Sequence, residues 1–181
     1  WSLSSLDKFK FVSNSDSHSP YPFRIGREAN LFELSQPTYE SLLSAIRNDG
    51  ASSLLRTVET FPQYGKYHWP GHRSCNFSAS PEKYIRLGGL CPVCGRKLTS
   101  GVDLEVRRRA DRPRGYVPKG AKPFMRVIQL SEILSKILGS PATSAKVWKS
   151  YEGLIRRFGN EYSILLAVPI KELDEVGGKR L

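Results

Sequence analysis

The sequence predicts a mixed architecture: an α/β segment, then a turn-rich metal-binding module, then a mostly α-helical C-terminal region. Three observations carry this. Residues 1–62 set short apolar runs beside an amphipathic helical stretch, the pattern of α/β chains. All three cysteines, Cys75, Cys91 and Cys94, fall within residues 63–103, among glycines and prolines. Residues 104–181 hold apolar positions at helical spacing.

Taken in order, "KFKFVSNS" alternates charge with Phe9, Phe11 and Val12, which predicts a short strand ending in a Ser/Asn/Asp loop. "REANLFELS" has helical composition. After Pro37, "TYESLLSAIRNDG" predicts an amphipathic helix, with Thr38 as N-cap, Leu42, Leu43 and Ile46 as its apolar stripe and Gly50 near the stop. "SLLRTVETF" reads as a strand, giving the order strand, loop, helix, helix, strand. "SPEKYIRLGG" predicts a short helix capped by Ser80, with Pro81 in its first position. "ADRPRGYVPKGAKPF" reads as an exposed connector. "SEILSKILG" predicts a helix from Ser131 to Gly139, and "SAKVWKSYEGLIRRFG" another from Ser144 to Gly159. The apolar face of the latter is Val147, Trp148, Tyr151, Leu154, Ile155 and Phe158, a core pattern. "YSILLAVPIKELDEVGG" is entered from Asn160, and Pro169 either kinks that helix or starts a second one. The chain has no internal repeat.

The 181 residues suffice for one ordinary domain or two small ones, and their composition is that of a folded chain. No apolar run approaches the roughly 20 residues of a membrane helix, so no membrane partner is expected. No basic start with an apolar h-region marks a signal peptide. The chain opens at Trp1 and its single methionine is Met125, which reads as a removed initiator or a piece of something longer. The net charge of +11 is unevenly spread. From Lys66 to Arg126 there are 14 Lys/Arg against 4 Asp/Glu, a net of +10; the remainder carries 14 against 13, a net of +1. A single concentrated basic block points to a polyanion partner, and nucleic acid is the common one.

His72-x2-Cys75, fifteen residues, then Cys91-x2-Cys94 is the spacing of two zinc knuckles with one histidine in place of a cysteine. Each knuckle needs two ligands about three positions apart on a tight turn. In "CPVCG", Pro92 pre-sets that turn and Gly95 permits a left-handed exit. A disulfide would leave an odd cysteine, and a merely buried role would not produce this spacing. His68 also lies near; His72 is favoured as fourth ligand because it sits three before Cys75. Four protein ligands leave no open position, so the expected Zn2+ is structural. Lys83, Arg86, Arg96 and Lys97 lie on or beside the module. Arg107, Arg108, Arg109, Arg112 and Arg114 follow, a phosphate-contacting patch or a solvated helix face.

Asp16 and His18, in "DSH", are two further donors placed to share one ion. A catalytic metal centre takes three or more protein ligands, and His18, His68 and His72 are all the histidines there are.

"FVSNSDSHSP" followed by "RIGREAN" resembles the last metal-binding motif of PHP-domain phosphoesterases. "YGKYHWPGHRSCNFS", "GGLCPVCGRKLTSGV" and "RRRADR" resemble the zinc module that follows it in one branch. That branch is endonuclease Q and its relatives, including PHP modules fused ahead of some UvrD-type helicases. The resemblance spans roughly residues 1–175. It implies that residues 1–62 are the C-terminal part of a distorted, TIM-like PHP barrel, 63–103 the zinc-binding module and 104–181 a basic connector with a helical domain. A PHP barrel binds two or three divalent metals at the C-terminal ends of its strands. Asp16 and His18 match the final Asp-x-His motif, and the other ligands would lie upstream, on a segment or chain that completes the barrel. The catalytic ions implied are Zn2+, Mn2+ or Mg2+.

The activity implied is that of a DNA repair endonuclease, which cuts the backbone on the 5′ side of deaminated bases, such as uracil and hypoxanthine, and of abasic sites. Clustered metals would activate water and stabilise charge on the attacked phosphate. This chain would supply DNA binding and part of the catalytic metal site. Arg24 and Arg27 follow the motif, where they could contact phosphate; Glu28 could equally pair with either. Arg73, Arg96, Lys97, Arg107, Arg108 and Arg109 are the further candidates for DNA contact. Tyr64 and Lys66, in "YGKYHW", could stack on a flipped base or pack barrel against module. Two other readings remain: a stand-alone zinc-ribbon nucleic-acid-binding protein in which "DSH" is idle, and a PHP phosphatase of small phosphoesters, which the basic block does not fit. Reduced, metal-held cysteines fit a cytoplasmic location.

Overall fold

The computed structural model describes residues 1–19 and 24–177, with side chains up to residue 173. "REANLFELS" forms a strand, β1 (Ala29–Glu33), rather than the expected helix. Asn30 explains part of the difference: its Oδ1 accepts from the Ser13 amide at 2.8 Å, and its Nδ2 donates to the Ser13 carbonyl at 2.7 Å. Sheet pairing supplies the rest, since neighbouring strands override a weak helical preference. "KFKFVSNS" forms no strand. Phe9, Phe11 and Val12 are 53%, 57% and 44% exposed, so the alternating pattern has no sheet face to bury.

From Thr38 on, local chemistry decides. The Thr38 hydroxyl accepts from the Ser41 amide and opens α1 (Tyr39–Arg47). Asn48, in the left-handed region at φ 61°, closes it two residues before Gly50. Next comes β2 (Ser53–Glu59), with Leu54 and Val58 buried and Leu55 exposed. A two-stranded hairpin of β3 (Gly71–His72) and β4 (Phe77–Ser78) follows. Ser80 caps α2 (Pro81–Arg86), with Pro81 in its first turn as expected. Then come α3 (Val102–Arg109) and β5 (Phe124–Arg126). β5 pairs parallel with β2, Thr57 opposite Phe124 and Glu59 opposite Arg126. The sheet order is β1-β2-β5, so the metal module lies within the long crossover between two parallel neighbours.

The C-terminal helices are α4 (Leu130–Leu138), α5 (Ala145–Phe158), α6 (Glu161–Leu166) and α7 (Ile170–Gly177). Gly139 ends α4 at φ 58°, Ser144 caps α5 and Asn160 caps α6. Pro169 starts a new helix rather than kinking the old one, because it has no amide hydrogen to donate back and suits a first turn.

The chain forms two compact units. One holds Trp1–Val12, Leu31–Arg56 and Phe61–Pro123. Its buried apolar set is small: Ala45, Leu54, Ala79, Cys91, Leu98 and Leu104. The other holds Ser13–Asn30, Thr57–Thr60 and the chain from Phe124 on. Its core is Leu130, Leu134, Val147, Tyr151, Leu154 and Ile164, the apolar faces of α4, α5 and α6. Each such Val, Leu or Ile contributes about 1.5–3 kcal/mol by burial. The first unit lacks a comparable cluster, the situation in which small modules depend on a metal. Among the described residues, no helix is long and apolar enough to cross a membrane.

Candidate metal centre

Two hairpins bring four donors together. In the first, a 3₁₀ turn (Arg73–Cys75) joins β3 to β4, and Asn76 completes the reversal at φ 45°. In the second, the Gly95 amide donates to the Cys91 carbonyl at 2.8 Å and the Cys91 amide to the Arg96 carbonyl at 2.7 Å, with Gly95 at φ 72°. Gly71 and Thr99 exchange both backbone hydrogen bonds at 2.9 Å, which fixes one hairpin against the other. A Cβ on Gly71 would stand 2.9 Å from the Phe77 carbonyl oxygen, so this pairing needs glycine.

The result is a group of His72, Cys75, Cys91 and Cys94 whose ligand atoms all lie within 4.8 Å of one another. Cys94 Sγ is 3.4 Å from His72 Nδ1, and all three cysteines are free thiols. Hydrogen bonding to Cys94, with burial behind it, pushes the Cys75 thiol up to about 11. Burial works against the Cys91 thiolate too, but the Val93 and Cys94 amides outweigh it and take that thiol down to about 7. Crowded thiols that resist sharing charge are what a divalent cation resolves, since it binds them deprotonated. Three sulfurs and one imidazole could hold one metal ion, and a tetrahedral ion with all four as ligands would have no position left for substrate. His68 stands outside the group, its ring against Trp69 at 5.9 Å.

Asp16 and His18 are both exposed. Asp16 sits in a turn at φ 45°, and His18 Nδ1 lies 2.8 Å from the Asp16 backbone carbonyl. A carbonyl only accepts, so Nδ1 carries the proton and Nε2 is the ring atom left to bind a metal. No third donor joins them: the Cys/His group is the single cluster of three or more His, Cys, Asp or Glu among the described residues. Two donors do not make a catalytic centre, and no reaction step follows from them alone.

The basic side chains divide into two sets. Arg107 pairs with Glu82 of α2 and, at 3.0 Å, with Asp103. Arg108 pairs with Glu105 at 3.0 Å, and its guanidinium lies over the Tyr84 ring at 5.7 Å. Arg27 pairs with Glu28 at 3.0 Å, and Glu28 also accepts from the Thr60 hydroxyl at 2.9 Å. Arg73, Arg96, Lys97 and Arg109 are exposed and make no ion pair among the described residues. Arg24 is exposed. Tyr64 is 54% exposed, and the Lys66 ammonium lies 5.6 Å from the Tyr67 ring centre. Sequence reading overlooked Glu82, Asp103 and Glu105 as partners, although the spacings Asp103 to Arg107 and Glu105 to Arg108 are helical pairs. Arg112, read from the sequence as one of the phosphate-contacting arginines or a solvated helix face, instead pairs with Asp7 and lies over Tyr116 at 4.5 Å.

The family model of the MJ0043 C-terminal domain matches residues 129–179. Uncharacterized protein MJ0043 of Methanocaldococcus jannaschii is 29% identical over 179 residues, 96% of this chain and 22% of that protein. Uncharacterized protein YqxK of Bacillus subtilis is 25% identical over 118 residues, 65% of this chain and 29% of that protein. Two solved structures superpose on 97% of the chain. One is the lesion-specific endonuclease PfuEndoQ of Pyrococcus furiosus (31% identity, TM-score 0.84). The other is endonuclease Q in complex with a 27-mer duplex substrate bearing an abasic lesion at the active site (30% identity, TM-score 0.85). The chain is thus similar to endonuclease Q over nearly all its length, and it spans 43% and 44% of those two chains.

Proposed function

We propose that this chain is the DNA-binding, zinc-organised part of a metal-dependent DNA repair endonuclease of the endonuclease Q kind, one that cuts 5′ to deaminated bases or abasic sites. The observation that carries the reading is the superposition on a lesion-specific endonuclease across 97% of the chain. The spread of charge supports it independently, because the +10 stretch of sequence from Lys66 to Arg126 contains the four-donor group.

In this reading Zn2+ occupies His72, Cys75, Cys91 and Cys94 and holds a core-poor segment rigid. Arg73, Arg96, Lys97 and Arg109, which pair with no carboxylate among the described residues, carry most of the attraction for phosphate. Arg107 and Arg108 are largely neutralised and act mainly to brace α3. Arg24 and Arg27 contact phosphate near the lesion, Arg27 more weakly because Glu28 shares it. Tyr64 offers a face on which a base can stack, beside Lys66. Asp16 and His18 are two ligands of a catalytic divalent cluster whose other donors come from a preceding PHP segment, with β1, β2 and β5 as the end of that barrel. When bound, such ions supply water activation and charge stabilisation in phosphodiester hydrolysis.

The test joins this chain to a preceding PHP segment and assays strand cleavage of duplex DNA with an abasic site. Cleavage that needs a divalent ion, occurs on the 5′ side and is abolished by Asp16→Ala without loss of DNA binding is the expected result. Cleavage indifferent to Asp16→Ala would overturn the role of that motif. A second reading is a zinc-ribbon DNA-binding protein without catalysis, in which Asp16 and His18, joined by no third donor among the described residues, are idle. DNA binding without any metal-dependent cleavage in the joined protein would establish it.

A further inference from the structure

The C-terminal unit presents a second basic surface that the uneven charge count conceals. α5 buries Val147, Tyr151 and Leu154 in the core. On its opposite face, at helical spacing, stand Lys146, Lys149, Gly153, Arg156 and Arg157, and all four cations are exposed. Glu152, on the same helix, offsets part of that charge; it pairs with Arg156 at 3.7 Å, with both side chains well exposed, and the Arg157 guanidinium lies over the Phe158 ring at 5.4 Å. Lys146 Nζ donates to the Leu138 carbonyl at 3.1 Å. Lys149 has no ion pair among the described residues.

Gly153 is the second observation. A glycine inside a helix costs about 1 kcal/mol relative to alanine, and nothing among the described residues requires glycine here. A Cβ added there would meet no atom within 4 Å, and its φ is not positive. The gap serves no contact among the described residues of the unit. It lies amid four cations and lets an anionic backbone approach the helix axis closely, a recognised use of glycine.

We infer that this face of α5 is a docking surface for the sugar–phosphate backbone of duplex DNA, with Gly153 as the point of closest approach. From Lys146 to Arg157 the helix runs about 16 Å, enough to span several phosphates of one strand. An acidic membrane is the less suitable occupant, because the apolar face of α5 is committed to the core and nothing remains to insert between lipids. The inference rests on the nucleic-acid reading above but concerns residues outside the metal module.

The experiment measures affinity of the whole chain for a short undamaged DNA duplex as a function of salt, together with thermal stability. Lys149→Ala/Arg156→Ala should weaken binding several-fold and lower the slope of log K against log salt by about 1.8, at about 0.9 per lost phosphate contact. Gly153→Gln should weaken binding while melting at or above the wild-type temperature, since glutamine is a better helix former; a purely structural role cannot produce that combination. Lys8→Ala/Lys10→Ala, the equal-charge control, should bind as wild type does. Unchanged affinity and slope in both α5 variants, or an equal loss in the control, would overturn the inference and leave the proposed function standing. Loss of binding to acidic phospholipid vesicles with DNA affinity intact would overturn it in favour of a membrane. A wild-type chain with no affinity for DNA would strike the proposed function itself, and this inference with it.

Discussion

Cys94 Sγ and His72 Nδ1 lie 3.4 Å apart although twenty-two residues separate them in the chain. Two hairpins, locked by the paired backbone bonds of Gly71 and Thr99, bring them together. The surrounding unit buries few large apolar side chains, so metal binding and folding should be one event. Chelation is expected to lower the melting temperature of the metal module and added Zn2+ to restore it. His72→Ala should lose both responses; thermal melts with and without chelator check this.

Gly101 opens α3 where a Cβ would fall 2.2 Å from the Trp69 carbonyl carbon and 2.6 Å from the His68 carbonyl oxygen. Both are backbone atoms and cannot swing aside. Gly101→Ala should therefore destabilise by about 1–3 kcal/mol, and denaturant unfolding of the metal-loaded chain measures it. The exposed connector position Gly120, at φ 77° with open space around it, should cost about 1 kcal/mol through backbone strain alone.

Tyr151 donates its hydroxyl to Glu161 at 2.8 Å, and Glu161 also accepts from the Leu130 amide at 2.7 Å. Burial, followed by the Glu161 carboxylate, pushes the Tyr151 phenol well above its ordinary value of 10.0. The folded state thus holds this proton more tightly than the unfolded chain does. Its contribution is present in full below pH 10 and is lost as the pH rises beyond it toward the folded-state value. Wild-type stability should fall across that alkaline range. Tyr151→Phe should show less of the fall and cost about 1 kcal/mol at neutral pH from the lost hydrogen bond. Urea melts at a series of pH values provide the comparison.

Asp16 adopts φ 45°, a conformation that glycine takes without penalty. Asp16→Gly should leave stability unchanged or raise it by up to about 1 kcal/mol. In a protein completed by its barrel segment, the same change should abolish cleavage. A variant that gains stability while losing activity marks strain retained for function. Loss of stability in Asp16→Gly would instead make the residue structural.

The sequence was most legible where structure is local. Thr38, Ser80, Ser144 and Asn160 each cap the helix expected of them, because a side-chain oxygen three residues before a free amide needs no distant partner. The gathering of His72, Cys75, Cys91 and Cys94 into one group was legible for a similar reason, since knuckle spacing encodes a tight turn. β1 was misread because its state depends on β2 and on Asn30 reaching Ser13. Phe9 and Phe11 carried a strand pattern with no neighbour to complete it. The ion pair from Arg107 to Glu82, twenty-five residues away, was hidden by the same limit. The α5 face was hidden by arithmetic, because acids elsewhere in the chain cancel its charge in any overall count.

Elemental analysis of the purified chain tests most directly whether His72, Cys75, Cys91 and Cys94 form a closed structural zinc site while Asp16 and His18 form only part of a catalytic one. The expected result is one zinc per chain, lost in Cys91→Ser and retained in Asp16→Ala and His68→Ala. Two or more metals per chain, with one lost in Asp16→Ala, would contradict it, because a catalytic centre would then assemble from this chain's own residues.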